Sequence, residues 1–309
     1  MLFITGYSLF KNVSSVNCYF KNTFTFPNHL DRIELNREIM YLSFFSLKQK
    51  PFAITSNPSF LFLSQRHQEA LSYLTYGIKE RVGFIEITGE VGTGKTTICR
   101  ALLNQLDDKT KTAFIFNSTL SGHPLIQTII DDFGINTEKT SRRDLFSQFH
   151  QFLIEQLALN HNVVLIIDEA QNLSRTVLEQ IRMLSNLEAE NEKLIQIVLV
   201  GQPELREKLR SRNLRQLRQR IAVRYHITAL NDTEVPLYIS HRLKLAGANG
   251  ASPIFDETAI KEIYRFSNGI PRLINIVCDK ALLTAFVLGR REIDWEIIQR
   301  SVSEIEGDV

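Results

Sequence analysis

Cysteine is scarce in this chain. Three occur, Cys18, Cys99 and Cys278, far apart and in no metal-ligand spacing. That pattern argues against a disulfide framework or a zinc cluster, and it fits free thiols packed as small apolar groups in a reducing compartment. Also missing is any run of the roughly 18 to 20 apolar residues needed to cross a bilayer as a helix. The N-terminus has no cationic start leading into an apolar stretch and a small-residue cleavage site, so the sequence predicts a cytoplasmic protein. Charge of one sign is absent too: 36 basic and 34 acidic side chains leave a net charge of +2. Bulk electrostatics therefore selects no partner, and any basic surface has to be local. The sequence has no internal repeat and no low-complexity linker.

What is present is an ordinary globular composition over 309 residues, 44% apolar and 23% charged, long enough for one large domain or two modest ones. Residues 1–39 stand apart, rich in Phe, Asn and Tyr and without sustained periodicity. They read either as a loosely structured extension or as sequence upstream of a native start at Met40. From Ser64 the apolar positions Ala70, Leu71, Leu74 and Ile78 recur at helical spacing. The helix they predict packs on a core, and the segment carrying it is placed to wall an adenine pocket.

Strands then alternate with helical patterns, the signature of an α/β fold with a parallel sheet and helices on both faces. The expected strands are Phe84 to Thr88, Thr112 to Phe116, Val163 to Ile167 and Leu194 to Val200, with a short last one near Tyr225 to Thr228. Near-continuous apolar runs such as VVLII suit strands buried on both faces. Helical patterns include TTICRALLNQL, RDLFSQFHQFLIEQLAL and RTVLEQIRMLSNLEAE. After Leu230 only helices follow, four of them, including one capped by Asp256 and stopped at Gly269. The expected organisation is a nucleotide-binding α/β domain over 40–230 and a small helical lid over 231–309.

The strongest chemical signal is Gly89-Glu90-Val91-Gly92-Thr93-Gly94-Lys95-Thr96, a full G-x-x-x-x-G-K-[ST] match between a strand and a helix. Glycines let the backbone curl so that N–H groups converge on phosphate oxygens, and the helix start adds its positive end. Lys95 is expected to meet the β- and γ-phosphates of ATP, and Thr96 to ligate Mg²⁺, with Thr97 completing the loop. VVLIIDEAQ ends a buried strand in Asp168-Glu169, at the sheet edge where open α/β folds bind ligands. Asp168 is expected to hold Mg²⁺ through water and Glu169 to act as general base. LIQIVLVGQPEL places Gln202 at the next strand end, where its amide would orient the attacking water.

Two arginine features complete the set. LREKLRSRNLRQLRQRIAVRYHI carries seven arginines at helical spacing, which reads as a solvated face, a phosphate-binding surface, or the source of a finger for a neighbouring subunit worth about 10³- to 10⁵-fold in rate. SNGIPRLINIVCDKAL puts Arg272 in the first turn of a lid helix, where the helix dipole disfavours a cation. That placement favours a role against nucleotide phosphate.

These motifs in this order resemble the AAA+ ATPases. From about Met40 onward, stretches such as ITGEVGTGKTT, IIDEAQNL, LVGQPEL and NGIPRLINIVCDKALL resemble the ExeA-like general secretion pathway protein A family in particular. The resemblance implies Walker A at Lys95 and Thr96, Walker B at Asp168 and Glu169, sensor 1 at Gln202, sensor 2 at Arg272, and an arginine finger at Arg220, with Arg218 next. It implies an ATP-dependent homo-oligomer acting as assembly motor or switch in type II secretion or type IV pilus biogenesis, reaching the inner membrane through partners. Longer members carry a membrane span and a peptidoglycan-binding domain that the lid here is not followed by. Related ATPases assist DNA transposition, which keeps a DNA-bound regulator as the alternative. A nucleotide-binding scaffold with little turnover is a third reading.

Overall fold

The computed structural model describes residues 41–54, 58–116, 123–135, 142–189, 192–248 and 253–307. The two readings of residues 1–39 lie outside the described residues. Met40–Val309 forms one compact unit.

Five strands build one parallel sheet in the order β2-β3-β6-β1-β7: β1 (Phe84–Gly89), β2 (Thr110–Ile115), β3 (Asn162–Ile167), β6 (Gln196–Gly201) and β7 (Ile221–Ile227). All six residues of β1 and of β6 are buried, as expected of inner strands covered on both faces. Alternate side chains feed two cores. Val163, Leu165, Ile167, Ile197 and Leu199 meet α3 (His123–Asp132), α4 (Arg142–Ala158), α5 (Arg175–Leu184), α6 (Pro203–Leu209) and α7 (Arg215–Arg220). Ile85, Ile87, Val164, Ile166, Val198 and Val200 meet α1 (Gln65–Lys79) and α2 (Lys95–Gln105). A one-residue register slip would exchange these faces, so the pairing is strongly specified.

The helix expected from Ser64 is α1. Ser64 caps it by accepting from the His67 N–H, and Ala70, Leu71, Leu74 and Ile78 are all buried.

Two expectations change. The pattern RTVLEQIRMLSNLEAE is helical only to Leu184, because the Ser185 hydroxyl donates to the Arg182 carbonyl and closes the last turn. Glu188–Ala189 (β4) then pairs antiparallel with Glu192–Lys193 (β5). The arginine run is not one helix either. It divides into α6, a 3₁₀ turn at Arg212–Leu214, α7, and a strand that begins at Ile221 rather than Tyr225. Ile221 and Val223 are β-branched and pair with Phe84 and Ile85 on β1, so sheet formation overrides the helical spacing of the arginines.

Among the described residues four helices follow: α8 (Glu234–Leu245), α9 (Glu257–Ser267), α10 (Pro271–Val287) and α11 (Trp295–Glu306). Asp256 and Asp294 cap α9 and α11 through their carboxylates. The core of this bundle takes in Tyr41, Phe45, Leu47, Phe52 and Phe60 from the segment upstream of α1. Burying a ring such as Phe52 contributes roughly 1.5–3 kcal/mol, so that segment is an integral layer of the lid. Leu230 receives the turn between α9 and α10: its N–H donates to the Gly269 carbonyl, and a Cβ on Gly269 would sit 1.8 Å from the Leu230 oxygen. With φ at +74°, that position admits only glycine without rearrangement. Among the described residues, no helix is long and apolar enough to cross a membrane.

Candidate functional site

β1 ends at Gly89, the chain curls through 90–94, and α2 begins at Lys95 on a left-handed Gly94 with φ of 93°. This is the predicted phosphate loop in the expected strand-to-helix context. Gly92, at φ of 82°, meets the lid directly. A Cβ there would lie 2.6 Å from Cβ of Arg272, whose backbone N–H donates to the Gly92 carbonyl at 3.3 Å. The absence of a side chain thus lets α10 rest on the loop.

Lys95 is buried, and its Nζ donates to the carbonyls of Gly89 and Glu90, each at 2.8 Å. Burial lowers its pKa, opposed by the charges of Glu169, Asp168, Glu90 and Glu204. Thr93 is fully buried and donates from its hydroxyl to the Glu90 carbonyl, bracing the loop from inside. The Thr96 hydroxyl donates to Oδ2 of Asp168 at 2.6 Å. Burial pushes the Asp168 carboxyl up, against the hydrogen bonds from Thr96 and from the Glu169 N–H. One hydroxyl and one carboxylate in contact form the partial donor set that Mg²⁺ uses when nucleotide phosphates and waters supply the rest. No cluster of three or more His, Cys, Asp or Glu fit for a stand-alone metal site occurs among the described residues.

Glu169 follows the end of β3 with φ of 51°, a left-handed conformation rare for a non-glycine residue. Its Oε2 accepts from two amides, Gln202 Nε2 at 3.1 Å and Gln171 Nε2 at 2.5 Å. Gln202 itself sits as the N-cap residue of α6. Gln171 reaches the end of β6 because Gly201 has no side chain, and a Cβ there would be 2.7 Å from Gln171 Oε1. Lys208 on α6 donates to the carbonyls of Gln171 and Leu173 and ties this turn to the helix.

The loop, Glu169 and the lid enclose a cavity of about 430 Å³, within the range of small-molecule sites. Val91, Gly92, Gly94, Lys95, Thr96 and Thr97 line its phosphate end, and Arg272 joins them beside Gly92. Ala53, Ile54, Phe60 and Phe62 form an apolar wall supplied by the segment before α1.

Lys95, Thr96, Asp168, Glu169, Gln202 and Arg272, expected together from the sequence, are gathered at this one end of the sheet. Arg220 is not among them. It precedes Ile221, which pairs with Phe84 at the opposite edge of β1, on the order of 20 Å from the phosphate loop at the strand rise of about 3.3 Å. Its Nη1 donates to the Ser185 hydroxyl at 3.2 Å.

Two site residues were not singled out from the sequence. Gln171 had a legible signal, an amide two positions after Glu169. His67 had a weaker one, the Ser64-x-x-His67 spacing at a helix start. Its Nε2 lies 2.8 Å from the Thr93 carbonyl and its Nδ1 2.6 Å from the Ser64 hydroxyl, in a buried position. A carbonyl can only accept, so Nε2 carries the proton and Ser64 donates to Nδ1. Burial lowers the His67 pKa.

This fold and this site define an AAA+ P-loop nucleotide-binding protein. The AAA domain family matches residues 78–209. General secretion pathway protein A of Aeromonas hydrophila is 45% identical over 269 residues, covering 87% of this chain and 49% of that protein. The chain therefore spans about half the length of that relative. Over most of its own length this chain is similar to that protein, and residues 78–209 match the AAA domain. Solved structures of similar fold include Aeropyrum pernix ORC2 in ADPNP–ADP complexes (TM-score 0.59, 17% identity, 83% of this chain and 72% of that chain). Cdc6p of Pyrobaculum aerophilum is a second (TM-score 0.61, 19% identity, 81% and 71%).

Proposed function

We propose that this chain binds ATP with Mg²⁺ and hydrolyses it, in an oligomer that acts as assembly motor or switch for secretion or pilus machinery. The observation that carries the reading is the 2.6 Å contact between the Thr96 hydroxyl and Asp168, beside a Glu169 held by two amides. Backbone N–H groups of the loop and the start of α2 cradle the phosphates. Lys95 leaves the Gly89 and Glu90 carbonyls to meet the β- and γ-phosphates. Thr96 and Asp168 would hold Mg²⁺, which would supply neutralisation of phosphate charge. Glu169 takes a proton from the attacking water while the γ-phosphorus–oxygen bond to ADP breaks, and Gln202 orients that water. Arg272 contacts phosphate from the lid. Arg220 faces away from its own site and serves as the finger for a neighbour, which makes turnover depend on assembly.

The secretion client rests on the name of the Aeromonas relative alone, and the pilus client on the sequence resemblance. ATP dependence places the work in the cytoplasm, with contact to the inner membrane made through partners. A second reading, a DNA-bound regulator, draws on exposed Arg206, Arg210, Arg212, Arg215 and Arg224 along α6 to β7. Duplex DNA affinity measured against salt, with and without ATP, decides between them. Tight binding with a steep salt slope supports the DNA reading, and weak, shallow binding supports the first.

A further inference from the structure

The nucleoside end of the cavity contains a hydrogen-bond relay that the proposed chemistry does not use. Arg242, Tyr238 and Asn275 all line the cavity, and each is more than nine-tenths buried. Among the described residues the Arg242 guanidinium has no carboxylate partner in its hydrogen bonds. Nε donates to the Pro51 carbonyl at 2.5 Å, Nη2 to the Ala53 carbonyl at 3.3 Å, and Nη1 to the Tyr238 hydroxyl at 2.9 Å. Its charge also lies over the Phe60 ring, 5.0 Å from the centroid. The guanidinium only donates, so the Tyr238 oxygen accepts there and its proton goes to Asn275 Oδ1 at 2.8 Å. Burial raises the Tyr238 pKa and keeps that proton in place.

The direction of the relay fixes the amide. With Oδ1 committed to Tyr238, the Asn275 NH₂ is left to serve the cavity as a donor. Asn275 lies three positions after Arg272 on α10, on the same face and about 4.5 Å further along the axis. Arg272 abuts the phosphate loop, so Asn275 faces the part of the cavity beyond the phosphates. The apolar wall of Ala53, Ile54, Phe60 and Phe62 lines the same cavity and packs beside the relay, Phe62 against the Tyr238 ring, and it suits a flat heteroaromatic ring.

We propose that Asn275 reads the nucleobase: held by the Arg242–Tyr238 relay, its amide donates to a ring nitrogen of a purine. The assignment rests on the nucleotide reading above and adds the substrate-specificity residue to it. A ribose hydroxyl is the competing acceptor in the same ligand.

The test is calorimetric affinity of the full chain for magnesium complexes of ATP, its 1-deaza, 3-deaza and 7-deaza analogues, and 2′-deoxy-ATP. Wild type, Asn275→Leu and Tyr238→Phe are compared, each checked for unchanged melting without nucleotide. The expected result is that one deaza analogue binds wild type about tenfold more weakly than ATP. Asn275→Leu then loses about the same factor on ATP and nothing more on that analogue. Tyr238→Phe, which keeps the ring and removes the relay, shows a smaller loss with the same selectivity. The inference is overturned if Asn275→Leu binds ATP like wild type, if its loss adds to that of every deaza analogue, or if the loss vanishes only with 2′-deoxy-ATP. Absence of ATP binding by wild type overturns the nucleotide reading as well, a result distinct from all of these.

Discussion

Gln171 accepts a hydrogen bond from the backbone N–H of Gln202 at 3.0 Å, joining the turn after β3 to the end of β6. Both side chains end on one oxygen of Glu169. The carboxylate is therefore set by two strands together, and a shift of either strand end moves it.

Replacing Glu169 by Gln keeps size and removes basicity. ATP affinity is expected to stay within a few-fold of wild type while turnover falls about 10²- to 10⁴-fold. Phosphate release measured beside calorimetric binding checks this, and unchanged turnover removes Glu169 as the base.

Gln171→Leu tests positioning rather than basicity. Loss of this amide removes one of the two hydrogen bonds on Oε2 of Glu169, and kcat is expected to fall by about 10²-fold with little change in KM. A rise in KM at constant kcat would show that Gln171 serves binding instead.

His67 links α1 to the phosphate loop in its neutral form. Its folded pKa lies below the ordinary 6.5, so below pH 6.5 the unfolded chain takes up a proton that the folded chain resists. The His67 contribution to stability is therefore lost as pH falls from 6.5 towards the lowered value. His67→Gln, which can still donate to the Thr93 carbonyl, is expected to flatten that part of the stability profile, read by denaturant unfolding at several pH values. An unchanged slope between wild type and variant contradicts this.

Arg220→Ala is expected to abolish turnover, yet to regain part of it when mixed with Lys95→Ala. In a mixed oligomer one subunit supplies the arginine and the other the loop. Failure of this rescue in a verified oligomer counts against Arg220 as the finger.

Much of the candidate site was legible because its residues sit in short local strings. Gly89 to Thr96 is one contiguous string, and Asp168-Glu169 follows a run of apolar residues that has to be an inner strand. The end of the arginine run was not legible. Arg220 and Arg224 keep an i, i+4 spacing, and only pairing of Ile221 and Val223 with β1 turns the last part into a strand. Likewise LEAE has good helix propensity, yet the Ser185 turn and a two-residue ladder prevail. The layer formed by Tyr41, Phe45 and Phe52 with the lid was hidden for a different reason: it joins positions some two hundred residues apart, and no local period reports such contacts. The Arg242–Tyr238–Asn275 relay was hidden because Tyr238 and Asn275 stand 37 positions apart on different helices.

Titration of the purified chain with ATP, in the presence and absence of Mg²⁺, tests the central claim most directly. Wild type is expected to bind ATP at least about tenfold more tightly with Mg²⁺, an increment that Asp168→Asn removes and a binding that Lys95→Ala weakens. ATP affinity that is undetectable, or that ignores both Mg²⁺ and Asp168, would contradict the account.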